Sequence, residues 1–219
     1  MNIVRFESVP WQDRVNVDNW PCKTRTLYDN QDTGLSMRMV NYPVGSTEPR
    51  HVHAGMHAAT VVRNRAIVDG VTLRPLDVLV GPSNEPHGPI EYPEGCWLLS
   101  AFQGSNHHSE VENLSEEKFY KLVLQEEIPW RSEPGGGEFK TLVDRGLGQL
   151  LVEAVRLKAG ERIKPAFLAA LLIEGDVSVG DEKLEVWDYV YADEGDPRED
   201  LVCNGDAKML AWTMRDLDA

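Results

Sequence analysis

An all-β fold, present twice along the chain, is what this sequence predicts. Its apolar residues come in short, partly alternating segments punctuated by Gly, Pro, Asn and Asp, the spacing of sandwiches and barrels. Helix signals are scarce. The sequence also repeats itself at an offset too long for a solenoid, whose periods run to roughly 20–50 residues.

The repeat is read from matched positions. Thr26-Leu27-Tyr28-Asp29 returns as Thr141-Leu142-Val143-Asp144, and at the same offset Val40 meets Val155 and Gly45 meets Gly160. Further on, Leu73 and Asp77 match Leu184 and Asp188 at an offset shorter by four, so four residues are missing from the second copy between the two anchors. Pro10-Trp11 recurs as Pro129-Trp130, which gives both halves the same entry. Trp11 and Trp130 are expected to pack as equivalent staples of the two domains.

In order, the first half offers strands at Leu35–Tyr42, His57–Val62, Ala66–Val68, Asp77–Val80 and Trp97–Phe102. The best helix candidate is Ser115–Leu124, where Asn113 with Glu116 resembles a capping box, although its KFYKLVL run also suits a strand. The boundary falls near Gln125–Glu138, where acidic residues, two prolines and Gly135-Gly136-Gly137 cluster, giving domains 1–125 and 126–219. No G-K-[ST] follows the glycines, so they read as a turn and not a phosphate loop. The second half offers Gly148–Leu157, Ala169–Ile173, Asp176–Val179, Tyr189–Ala192 and Lys208–Met214.

Composition excludes several function classes. The net charge is −14, from 36 acidic against 22 basic residues, with no Lys/Arg cluster, so nucleic acid is a poor partner. The three cysteines, Cys22, Cys96 and Cys203, are far apart and form no C-x-x-C pair, which argues against a disulfide framework and for a reducing compartment. The N-terminus lacks a signal-like apolar core, and the longest apolar run, Ala166 to Ile173, is too short to span a bilayer. A cytoplasmic protein without membrane contact is expected. G-x-S-x-G, G-x-G-x-x-G and P-loop motifs are missing as well.

Four of the six histidines fall between Gly45 and Gly88, at His51, His53, His57 and His87. In an extended strand side chains alternate, so His51 and His53 project to one side. A strand returning in antiparallel fashion could bring His87 alongside, and the four imidazoles then form a ligand set for a divalent cation. Clustering by chance, as exposed or core histidines, is the bland alternative. Glu48, Glu85 and Glu91 flank the ligands, and each could accept an imidazole N–H or act as a base. His107-His108 lies in a polar loop and reads as an exposed pair. Cys96 reads as a small buried hydrophobe, with a redox-active thiol near the metal as the sharper alternative.

These residues carry a resemblance. Gly45, His51-x-His53 and a third ligand at His57, with Gly70 beyond, resemble the first cupin motif, and Gly81 with Pro86-His87 resembles the second. The implied fold is a bicupin: two double-stranded β-helix (jelly-roll) domains with a metal inside the barrel. Over residues 10–102 the pattern looks like the ChrR cupin-like group, which includes the sensory domain of ChrR-type anti-sigma factors, and it is also similar to cupin dioxygenases of the acetylacetone and dihydroxyacetophenone type. Two departures stand out. His57 occupies the position where cupins commonly place glutamate, leaving the full charge on a bound cation and favouring an anionic further ligand. The helical zinc-binding domain through which ChrR-type factors grip a sigma factor has no counterpart, since this chain begins almost directly at the first cupin.

Aligning Gly160 with Gly45 puts Ala166 and Leu168 where His51 and His53 stand, and no histidine follows His108, so the second copy is expected to hold no metal. It reads as a structural partner or as an apolar pocket. Zn²⁺, the metal implied by the resemblance, would be closed by four histidines in a tetrahedral shell, whereas octahedral Fe²⁺ would keep two positions open. The first case suits a regulatory, stress-sensing role with a sigma factor as implied partner. The second suits a dioxygenase cleaving a β-diketone or hydroxyketone, with a small molecule as substrate. No individual catalytic residue is assigned, and a homodimer through free jelly-roll edges is compatible with the sequence.

Overall fold

The computed structural model describes residues 1–15, 21–104, 108–110, 120–146, 149–193 and 195–214, and among them every regular element is a strand apart from two 3₁₀ turns, Phe6–Ser8 and Gln125–Glu127. The all-β expectation holds. Two compact units divide the chain: Pro10–Leu124 forms one, and Met1–Val9 with Gln125–Ala219 forms the other. No helix among the described residues is long and apolar enough to cross a membrane.

The unit with the histidines has a seven-stranded antiparallel sheet. Its order is Lys121–Val123, Val78–Gly81, Met56–Asn64, Cys96–Gln103, Leu35–Tyr42, Pro21–Asn30 and Gln12–Val15. Facing strands come from a four-stranded sheet, Ser46–Glu48, Ile90–Tyr92, Ala66–Val68 and Val71–Leu73, and from His51–His53 paired with His108–Glu110. Strand Leu35–Tyr42 is buried along most of both faces, which is why it shows no clean polar alternation. The helix candidate Ser115–Leu124 contains strand Lys121–Val123, while residues 115–119 and His107 lie outside the described residues. His108 is a strand residue opposite His53, in place of the expected loop.

The second unit is one nine-stranded sheet built on two long strands, Ala169–Val179 and Leu201–Met214. The segments expected as separate strands at Ala169–Ile173 and Asp176–Val179 are continuous, joined through register shifts at Glu174 and Asp176. Bulges let one strand bend without ending, which is why Gly175-Asp176 reads in the sequence as a break between two strands.

The repeat survives in the hydrogen bonds. Leu76 and Trp187 both have positive φ, 75° and 79°, and their N–H groups donate to the carbonyls of Val61 and Leu172. Asp77 and Asp188 then each accept from the backbone three residues upstream, at Arg74 and Glu185. Gly45 and Gly160, with φ of 73° and 86°, donate to Tyr92 and Cys203. Even the bulge after Thr26 returns after Thr141. The entry tryptophans are equivalent too, with Arg25 over Trp11 at 4.6 Å and Lys140 over Trp130 at 4.9 Å. Strand Asn2–Val4 pairs with Tyr189–Tyr191 as Lys121–Val123 pairs with Val78–Gly81.

Candidate metal centre

His51 and His87 face each other in an isolated antiparallel bridge, their backbone groups bonded both ways at 3.0 Å. His53 follows two residues along the same strand, and His57 enters from Met56–Asn64, where it pairs with Gly81. The four rings converge: centroids of His51 and His87 lie 4.2 Å apart, and His57 is 4.5 Å from both His53 and His87. His51, His53 and His87 each offer a ring nitrogen within 4.8 Å of the others. Phe102 closes one side, its ring 5.1 Å from His53 and 5.6 Å from His57.

The chemistry of this donor set fits a cation. Pro49 carbonyl oxygen lies 2.8 Å from His51 Nδ1, so that nitrogen carries the proton and Nε2 presents its lone pair inward. Nε2 of His53 is 3.1 Å from it, and two lone pairs aimed at one point repel unless a proton or a cation lies between them. His57 Nδ1 is buried with no hydrogen-bond partner among the described residues. Burial pushes the His57 imidazole down to about 3, with His51 adding to the effect, and burial lowers His87 likewise. Both are therefore held neutral, the form that binds metal.

Of the three flanking glutamates the structure singles out Glu48. It is buried, its Oε1 lies 3.8 Å from His51 Nε2, and it accepts hydrogen bonds from Tyr42 and Tyr92 hydroxyls, both at 2.9 Å. The two phenol rings stack at 4.1 Å, and burial, then Glu48, raises both well above the ordinary tyrosine range, so they remain donors. Glu91 is exposed, and Glu85 meets His87 only through its backbone carbonyl.

The histidines line a cavity of about 120 Å³ inside the barrel, room for several waters or one small organic molecule. Its remaining wall comes from inward positions on many strands, among them Arg38, Thr24, Ser100 and Cys22, with Arg14 at an exposed position. Sequence reasoning missed these, because an inward strand residue carries no motif. Cys96 does not line this cavity: it is buried, its Sγ next to Trp97 carbonyl oxygen. Burial pushes Cys96 up to about 12 and Cys22 to about 11. At pH 8 the thiolate fraction is then on the order of 10⁻³ or less, and all three cysteines are buried. Native protein is expected to leave its thiols unreacted toward a disulfide reagent at pH 8 and to release three on addition of guanidinium; rapid native labelling of Cys96 would restore the reactive-thiol reading.

In the second unit the bond from Ala192 N–H to Leu168 carbonyl stands where His57 pairs with Gly81. Leu168 is therefore the counterpart of His57, and not of His53 as simple alignment from Gly160 implies. The four missing residues fall before that point, in the segment that carries His51 and His53 in the first copy. Ala166 is exposed, Leu168 is half-buried, and the interior is a continuous apolar cluster around Leu157, Ile163, Phe167 and Leu172.

No protein-family model matches the sequence, and no curated protein does. Solved structures do match. A candidate dioxygenase from Nostoc punctiforme superposes with a TM-score of 0.83 over 100% of this chain and 84% of its own, at 16% identity. The chain has the cupin fold. Oxalate decarboxylase of Bacillus subtilis matches with a TM-score of 0.64 over 98% of this chain and 76% of its own, at 14% identity. A candidate glyoxylate-induced protein from Pseudomonas aeruginosa gives 0.69 over 96% and 87%, at 11% identity. At such identities the likeness extends to the cupin fold alone, here in two copies with one histidine cluster among the described residues.

Proposed function

We propose that this cupin is a metal-dependent enzyme of the dioxygenase kind, with His51, His53, His57 and His87 holding one divalent cation and a small organic substrate entering the cavity beside them. The single observation that carries the reading is that the imidazole cluster opens onto a cavity and is not sealed in the core. A closed structural zinc site has no need of such a space. A redox metal held by four neutral imidazoles supplies Lewis acidity and a meeting place for substrate and dioxygen. The chain's own groups do the rest. Pro49 carbonyl fixes the His51 tautomer, Phe102 shields the His53 and His57 rings from water, and Glu48 sets a buried carboxyl group beside His51.

Iron is the metal this reading favours. Manganese belongs in the same assay, because the oxalate decarboxylase of Bacillus subtilis has Mn(II) centres. Protein purified without added metal is expected to contain close to one equivalent of iron or manganese and to take up oxygen with a member of a panel of β-diketones, hydroxyketones and the matching β-keto and hydroxy acids. Zinc without any uptake would overturn it. That outcome would favour the second reading, a zinc-holding regulatory cupin of the ChrR type, which rests on the motif spacing from Pro10-Trp11 to Pro86-His87 and on four imidazoles being able to complete a tetrahedral shell.

A further inference from the structure

The cavity beside the histidines has polar features that metal binding does not explain. Arg38 lies on strand Leu35–Tyr42 opposite Ser100, which is itself opposite Ala59, while Phe102, one inward position along the same strand as Ser100, faces His57. At about 3.3 Å per residue the Arg38 row is therefore roughly 7 Å along the strands from the His57 row. Arg38 and Arg14 both line the cavity. Burial, together with the nearby positive charge of Arg14, lowers Arg38, and Asp29 only partly opposes this. Two guanidiniums at one cavity favour an anion between them. Thr24 supplies an independent sign: it is 4% exposed, lines the same cavity, and its hydroxyl has no hydrogen-bond partner among the described residues. A buried hydroxyl without a partner costs free energy unless a ligand satisfies it.

The second copy sharpens the point. By strand register Phe139 is the counterpart of Thr24 and Glu153 the counterpart of Arg38, and Glu133 falls two residues after Arg131 as Arg14 falls two after Gln12. Both cavity arginines thus become glutamates in the copy that lacks the histidine cluster, and Arg131 ties those two glutamates together. Arginine, hydroxyl and histidine change as a set, as the parts of one binding site should.

We propose that the substrate is a small carboxylate, a β-keto or hydroxy acid and not a neutral diketone: Arg38 receives the carboxylate with help from Arg14, Thr24 donates its hydroxyl to it, and the keto or hydroxyl end points to the histidines. This rests on the enzyme reading above and narrows its substrate class. Acetoacetate and acetylacetone make the test, because they share the β-dicarbonyl skeleton and differ in charge at one end. Calorimetric titration of the full chain is expected to give acetoacetate at least tenfold tighter binding than acetylacetone. Arg38→Met should weaken acetoacetate at least tenfold and leave acetylacetone within twofold, and Thr24→Val should weaken acetoacetate severalfold. Equal binding of the two probes by wild type, no binding of either at 10 mM, or an Arg38→Met protein that keeps its acetoacetate affinity would overturn the proposal. The titrations are repeated after chelation. Charge preference in a protein that takes up neither iron nor manganese retires the metal-enzyme reading alone, whereas bound metal without charge preference retires only the carboxylate.

Discussion

Gly81→Ala is expected to strip the first barrel of its cation while leaving all four histidines in the chain. A Cβ built at Gly81 would stand 2.0 Å from His57 Cε1 and 2.8 Å from both ring nitrogens, closer than real atoms approach. The strand itself tolerates the change, since Gly81 is held by ordinary antiparallel pairing to His57 and its counterpart in the second unit is Ala192, across from Leu168 where no imidazole needs the space. The side chain that must yield is the ring of His57. Swinging it away removes one of the four proposed ligands, and affinity is expected to fall on the order of 100-fold, at the upper end of what displaced supporting groups cost a metal site. Competition against a chelator of known affinity measures it. Ala192→Gly in the second unit is the control and is expected to leave affinity unchanged. A Gly81→Ala protein that binds as tightly as wild type would mean that His57 is no ligand.

Much of this architecture was legible in the sequence because it is written in local signals. Glycines at 45 and 160 mark a turn with positive φ, and the aspartates at 77 and 188 mark a turn closed by their own side chains. H-x-H spacing put His51 and His53 on one face, and the second motif placed His87 next to them. What could not be read was whatever depends on register between distant strands. The assignment of Leu168 to His57 follows from one hydrogen bond to Ala192, and direct alignment across the four missing residues put it four positions too early, at His53. Choosing Glu48 over Glu85 and Glu91 needed the phenols of Tyr42 and Tyr92, brought together from positions fifty residues apart along the chain on strands of two different sheets. Arg38 and Thr24 look like any polar residues on half-exposed strands until the barrel closes around them.

Glu48→Leu is expected to destabilise the metal-free protein by about 2–4 kcal/mol, with each of two buried phenols losing its acceptor at roughly 1–3 kcal/mol and the relief of burying a carboxyl group offsetting part of that. The network is a closed unit: Glu48 Oε1 takes Tyr42 and Oε2 takes Tyr92, with no exposed group completing either bond. Its parts are therefore coupled, and effects of changing them should not add. Register places Leu157, Ile163 and Cys203 at these three positions in the second unit, all buried and apolar, so this kind of barrel accepts a wholly apolar set there. It follows that Tyr42→Phe, Glu48→Leu and Tyr92→Phe combined should recover at least half of what Glu48→Leu alone loses. Guanidinium unfolding of the chelator-treated proteins decides it. If the triple variant is as unstable as the single one, Glu48 acts through something other than its phenols. If it recovers stability yet binds the cation more weakly than wild type, the first barrel keeps a buried carboxyl for the sake of the neighbouring imidazole of His51, 3.8 Å away, and not for its fold.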